Sequence, residues 1–250
     1  MVTKRFTRRH KKIAMGIILI LFTSTLLQGC LYPKEMRKEN QASAKDGIIL
    51  VQHAVDEYQQ TNGILPLVNA DMNTPRYEKF KVDFSALTSS QLLSTIPTNA
   101  FENGGHDIYL ILDEETDPLV RVMDLVTAQH VNDLQRLVNR AAKDIGQVPL
   151  GAERYPGFYE IPYTTINAKD IQVNSPFSGE VLPFMMDQEG NVYADYAVDI
   201  MQAVQQAKEP EQVKRYDDLR VLLVEAGYYS PSKSVLYKWQ DNAPVPVVNP

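Results

Sequence analysis

Apolar residues recur every three to four positions in three stretches of the chain, and each stretch runs into a glycine followed within four residues by a proline. One face is marked by Ile48, Val51, Val55 and Tyr58 in the first stretch. Val131, Leu134, Val138, Ala141 and Ile145 mark it in the second, and Val213, Tyr216, Leu219, Leu223 and Ala226 in the third. That period predicts amphipathic helices, each needing another element to cover its stripe. Glycine can supply the left-handed cap, and proline prevents the helix from resuming. Gly63-Ile64-Leu65-Pro66-Leu67 and Gly146-Gln147-Val148-Pro149-Leu150 lie 83 residues apart, and Pro231 of Gly227-Tyr228-Tyr229-Ser230-Pro231 lies 82 beyond Pro149. Three helix ends at one spacing point to an internal repeat.

Between the helices the period shortens to that of strands. In the first unit Tyr77 to Phe84 reads as a strand, and His106 to Leu112 with Leu119 to Leu125 as a hairpin around Asp113 to Pro118. The second unit offers Phe158 to Ile166, then Val181 to Met186 and Val192 to Val198 around Asp187 to Asn191. Ile200 to Lys208 and Pro210 to Ala226 read as a helical pair, and Ser234 to Trp239 as a last strand before an extended Pro244-Val245-Pro246 tail. The expected fold is α+β: two tandem helix-strand-hairpin units with antiparallel sheets, plus a C-terminal helix and strand. The first unit covers residues 45–126 and the second 127–250, as two small domains or one pseudo-symmetric domain.

The N-terminus has a different pattern. Lys4, Arg5, Arg8, Arg9, Lys11 and Lys12 precede an apolar run from Ile13 to Leu27, which ends in Leu27-Gln28-Gly29-Cys30 with the only cysteine of the chain. The run is shorter than the roughly 20 apolar residues of a membrane span, and its basic flank fits a signal peptide. It resembles the lipobox of bacterial lipoproteins, with Leu27, Gln28 and Gly29 as the signal-peptidase recognition residues. The resemblance implies that residues 1–29 are removed, that Cys30 carries a diacylglyceryl group, and that residues 30–44 form a lipidated tether. The protein is then expected on the extracytoplasmic face of the cell membrane.

Without the leader, 19 basic residues face 31 acidic ones, a net charge of −12. Nucleic acid is excluded as a partner by that sign, and a single cysteine allows no intramolecular disulfide. His53, His106 and His130 are not spaced as zinc ligands. Neither a nucleophile elbow nor a phosphate loop occurs after the leader, and Gly104-Gly105 is read as a turn. The acidic hairpin tips, Asp113 to Asp117 and Asp187 to Asn191, lack a complete calcium loop. No catalytic residue, cofactor or metal is therefore expected.

Aromatic residues offer the remaining recognition chemistry. Tyr155, Phe158, Tyr159 and Tyr163 cluster within nine residues. Tyrosine combines an apolar face with a hydroxyl, which suits contacts with protein or carbohydrate, although aromatics also simply fill a half-buried sheet. The expected role is a non-catalytic binding or adaptor module with an envelope-protein or cell-wall partner. The alternative is the solute-binding lipoprotein of an ABC importer. A pilin-like subunit fits less well, because its apolar stretch would be retained and processed at the other end. At whole-chain level the lipobox, Cys30-Leu31-Tyr32-Pro33, Arg37-Lys38-Glu39-Asn40-Gln41 and Asn103-Gly104-Gly105 resemble the YphF-like lipoproteins of Bacillus relatives. That resemblance implies an envelope protein and brings no catalytic residues.

Overall fold

The first amphipathic stretch is a helix, α1 (Lys34–Asn62), in the computed structural model, which describes residues 34–170 and 172–248, with side chains from Ala44 onward. Leu27, Gln28, Gly29 and Cys30 lie outside the described residues. The chain divides into Met1–Ala42, of which the helical stretch 34–42 is described, and Ser43–Pro250. α1 thus begins inside the segment expected to be a tether. Among the described residues no helix is long and apolar enough to cross a membrane.

After α1 come β1 (Leu67–Val68), β2 (Lys81–Val82), the short helix α2 (Phe84–Ser89), β3 (Asp107–Leu112) and β4 (Leu119–Asp124). The strands form one antiparallel meander in the order β1-β2-β3-β4. The second unit starts directly with α3 (Leu125–Ile145), whose N-cap is the last residue of β4, Asp124. β5 (Glu153–Tyr155), β6 (Phe158–Glu160), β9 (Phe184–Asp187) and β10 (Val192–Ala194) form a second four-stranded meander. A small pair, β7 (Val173–Asn174) with β8 (Val181–Leu182), interrupts its sequence. The α+β class with antiparallel sheets is therefore present, as a helix and a meander occurring twice.

The repeat extends to single hydrogen bonds. Gly63 and Gly146 both adopt positive φ, and each amide donates to the carbonyl four residues back, Gln59 and Ala142, at 2.8 Å. Gln52 on α1 donates from Nε2 to the Pro118 carbonyl (2.9 Å) and accepts from the Val120 amide (2.7 Å). Gln135 on α3, 83 residues later, donates to the Gly190 carbonyl (2.8 Å) and accepts from the Val192 amide (2.8 Å). One glutamine per unit ties its helix to the final strand of its hairpin.

Hydrophobic burial follows the same plan. Ile48, Val51 and Val55 of α1 pack on Tyr109, Ile111, Val120 and Val122, one face of the first sheet. All six residues of β3 are buried, because Tyr77, Ala128 of α3 and Val224 cover the opposite face at Ile108 and Leu110. Val131, Leu134, Val138 and Ala141 of α3 pack on the second sheet. Ile145, placed by its period on that stripe, is exposed in the last helical turn.

Several elements differ from the expectation. Tyr77 to Phe84 holds a 3-10 turn, the two-residue β2 and the start of α2, because the Asp83 carboxylate caps α2 by accepting from the Ala86 amide (3.0 Å). β6 stops at Glu160, and β5 precedes it across Pro156-Gly157. The first of the expected helical pair is α4 (Ala197–Gln206); the second is broken into α5 (Pro210–Val213) and α6 (Val221–Ala226). Asp218 accepts from the Arg220 amide (3.0 Å) in the break, the local competition with the backbone by which aspartate interrupts a helix. Gly227, at φ −125°, is extended, so the third helix end lacks the left-handed cap of the other two. The C-terminal tail pairs as well: β11 (Leu236–Gln240) and β12 (Ala243–Val247) join across Asp241-Asn242, both left-handed.

The segment between α6 and β11 joins the sheets. The Val122 amide of β4 donates to Tyr228 (3.0 Å), the Ser230 amide returns to Val122 (2.8 Å), and the Ala194 amide of β10 donates to Lys233 (2.7 Å). β4 and β10 are the last strands of their meanders. Residues 228–233 bond to both.

Candidate functional site

Tyr155, Phe158, Tyr159 and Tyr163 meet on one hydrophobic cluster, that of the second sheet. Phe158 is 1 % exposed and meets Tyr193 edge to face, with ring centroids 6.2 Å apart. Tyr159 and Tyr163 are half-buried against the same core, and burial raises the Tyr163 phenol above its ordinary value. Tyr155 keeps the Arg154 guanidinium over its ring at 5.6 Å and donates its hydroxyl to Asp195 (3.0 Å). The four residues are together, then, with their rings turned largely to packing.

Asp195 is the polar centre of this region. It is 1 % exposed and sits between β10 and α4. Oδ1 accepts from the Tyr237 hydroxyl (2.9 Å) and the Ala197 amide (3.0 Å), and Oδ2 from Tyr155 with Arg154 at 3.2 Å. Tyr237 in turn accepts from the Tyr196 amide (3.1 Å). Both phenols are fully buried, and desolvation, reinforced by nearby carboxylates, holds them well above the ordinary tyrosine range. A carboxylate with four donors has its lone pairs occupied by the fold, which suits it to organising a chain reversal rather than to taking a substrate proton. Asp187, at an acidic hairpin tip, is used the same way by the Asn191 amide, the Asn191 side chain and Tyr193.

An open, charged cleft lies in the other unit. Residues 74–80 and the β3-β4 hairpin tip enclose a cleft of about 410 Å³, lined by Thr74, Arg76, Lys79, Phe80, the acidic run Asp113 to Glu115, and Thr116. Arg76 pairs with Asp113 across it, and that hydrogen bond is the chief reason the guanidinium is held even more firmly protonated. Lys79 lies over the Phe80 ring at 4.7 Å. Beneath, Tyr77 is stacked between Arg76 (5.4 Å) and Arg220 (4.6 Å), and burial, then Asp218, pushes its phenol up to about 12. Lys233 pairs with Glu78 at 2.9 Å. Cations, carboxylates, hydroxyls and an aromatic face in one open cleft can hold a polar ligand or a charged segment bearing both signs. Sequence periodicity does not find this cleft: the strand expected over Tyr77 to Phe84 takes in Tyr77, Glu78 and Lys79, and Arg76 falls in the untyped stretch before it.

Residues 44–124 match the family model of the YphF family N-terminal domain. The matched segment runs from Ala44 within α1 to the last residue of β4, most of one helix-and-meander unit, and makes the chain YphF-like over that stretch. No curated protein and no solved structure matches the chain significantly.

Proposed function

We propose that this YphF-like chain is a lipoprotein, held by a diacylglyceryl group on Cys30 at the extracytoplasmic face of the cell membrane, and that it works there as a non-catalytic binding or adaptor module of the envelope. The observation that carries the second part is the division of polar groups. Two of the four buried aspartates among the described residues, Asp195 and Asp187, are occupied by several internal donors, while unlike charges meet in the open cleft beside Arg76. Such a division supports recognition rather than turnover, because a general base needs a lone pair free to meet its substrate. The anchor part is supported by Leu27-Gln28-Gly29-Cys30 behind a basic and apolar leader.

A solute-binding lipoprotein of an importer is the second reading, favoured by the charged and hydroxyl-bearing lining of the cleft, which suits a polar solute. Its support is weaker, because receptors of that kind fold as doubly wound α/β lobes and both sheets here are antiparallel meanders.

Metabolic labelling with a palmitate analogue tests the anchor: the wild type should carry label and sediment with membranes, and Cys30→Ala should lose both. Label retained by that variant would remove the anchor. Crosslinking in native membranes followed by mass spectrometry separates the two roles. Crosslinks from the Arg76 cleft to an envelope protein support the adaptor, and a co-purifying solute displaced by Arg76→Glu supports the receptor.

A further inference from the structure

Two aspartates stand opposite each other in register at the end of the first sheet. Asp107 of β3 and Asp124 of β4 are register partners. The Asp107 amide donates to the Asn99 carbonyl (3.0 Å) and so points away from β4. That makes 107 and 124 a non-hydrogen-bonded pair, the kind in which facing Cα atoms approach to about 4.5 Å and like charges repel.

Their surroundings treat them differently. Asp124 caps α3: its oxygens accept from the Val126 amide (3.1 Å), the Thr127 amide (3.0 Å) and the Thr127 hydroxyl (2.6 Å), acceptor work suited to a carboxylate. Asp107 is 8 % exposed and accepts from the Asn99 Nδ2 (2.8 Å). Desolvation, with Asp124 adding to it, raises Asp107 to about 6 against the Asn99 hydrogen bond.

Asn99 passes the contact on. Its Oδ1 accepts from Tyr109 (2.9 Å), whose hydroxyl fits against α1 only because residue 47 is glycine; a Cβ there would stand 2.2 Å away. Asn99 also belongs to the loop that presents Phe101, 58 % exposed, and a Cβ on Gly105 would stand 2.1 Å from the Asn99 carbonyl. The charged groups that act on Asp107 are Asp124 on β4 and His106, the residue before it; Tyr109, on the same strand, feels Asp107 and Glu102 of the loop, and α1 presents the uncharged backbone of Gly47.

We infer that Asp107 and Asp124 form a proton-sensitive latch, with the proton on Asp107, which sets how tightly loop 97–106 is held to the first sheet and, through Asn99 and Tyr109, to α1. The sign follows from linkage. A carboxyl raised in the folded state stabilises it most below its unfolded value of 3.8, and that contribution is lost as pH rises to about 6. Acid tightens the loop, and neutral medium loosens it.

Hydrogen exchange on the full chain, corrected for the intrinsic pH dependence, tests this at the Gly105 and Asp107 amides. Wild-type protection should fall by about tenfold between pH 5 and pH 7, and Asp107→Asn should stay protected across that range. A wild-type profile without the fall, or an equal fall in Asp107→Asn, would overturn the latch. Should that variant fail to fold, carboxyl carbon NMR of the wild type decides: an Asp107 midpoint near 6 supports the latch, and a midpoint in the ordinary aspartate range refutes it.

Discussion

Gln52 and Gln135 do the same work 83 residues apart, each giving one donor and one acceptor to backbone groups at the far end of its unit's hairpin. Replacing either with alanine leaves an N–H and a carbonyl without that partner, at a cost of about 1–3 kcal/mol for each buried group left unsatisfied. Gln52→Ala and Gln135→Ala should each lower the midpoint of urea unfolding, whereas Gln60→Ala, at an exposed position of α1, should leave it nearly unchanged. Neither glutamine could be found in the sequence. The carbonyl that Gln52 meets belongs to Pro118, 66 positions away, and a polar residue on a helix reads by default as solvated. The aromatic cluster shows the converse: Tyr155, Phe158, Tyr159 and Tyr163 do come together, but composition could not show that Asp195 would take the Tyr155 hydroxyl.

At the level of elements, what was legible was whatever ran long enough to show a period. α1 and α3 were readable from their stripes and left-handed glycines, and the β3-β4 hairpin from alternation around Asp113 to Pro118. Two-residue strands such as β1 and β2 are too short to carry a pattern, and Asp83 starts a helix, as Asp218 interrupts one, through local side-chain bonds that periodicity ignores. The β11-β12 turn was overlooked because Pro244 and Pro246 argue against a central ladder; the pair stands as a separate two-stranded sheet, which leaves proline tolerable. Asp241 (φ 48°) and Asn242 (φ 63°) give that turn the twist favoured in tight hairpins. Asn242→Gly should keep or raise the thermal midpoint, and Asn242→Val should lower it, since a branched side chain in left-handed geometry costs about 1–2 kcal/mol. Differential scanning calorimetry of the two variants checks the pair.

Across the whole molecule, the repeat spacing anticipated two like units but not their connection. The two meanders meet at residues 228–233, whose hydrogen bonds reach Val122 and Ala194, and the hairpin beyond delivers Tyr237 to Asp195. Ending the chain after Gly227 would remove these bonds and leave Asp195 buried without one of its donors. Such a protein should lose cooperative unfolding by circular dichroism and self-associate in sedimentation, because unpaired strand edges recruit other chains. The family match stops at Asp124, yet the first sheet draws Ala128 and Val224 onto its far face, so the matched unit is covered in part by residues outside the match.

The 228–233 segment also imposes an order in time. A ribosome makes both meanders before it makes the piece that bonds to them, so a nascent chain spends part of its synthesis with β4 and β10 uncapped. Until residue 233 has been made, those two strand edges stay open to pairing with other chains, and the finished segment closes them.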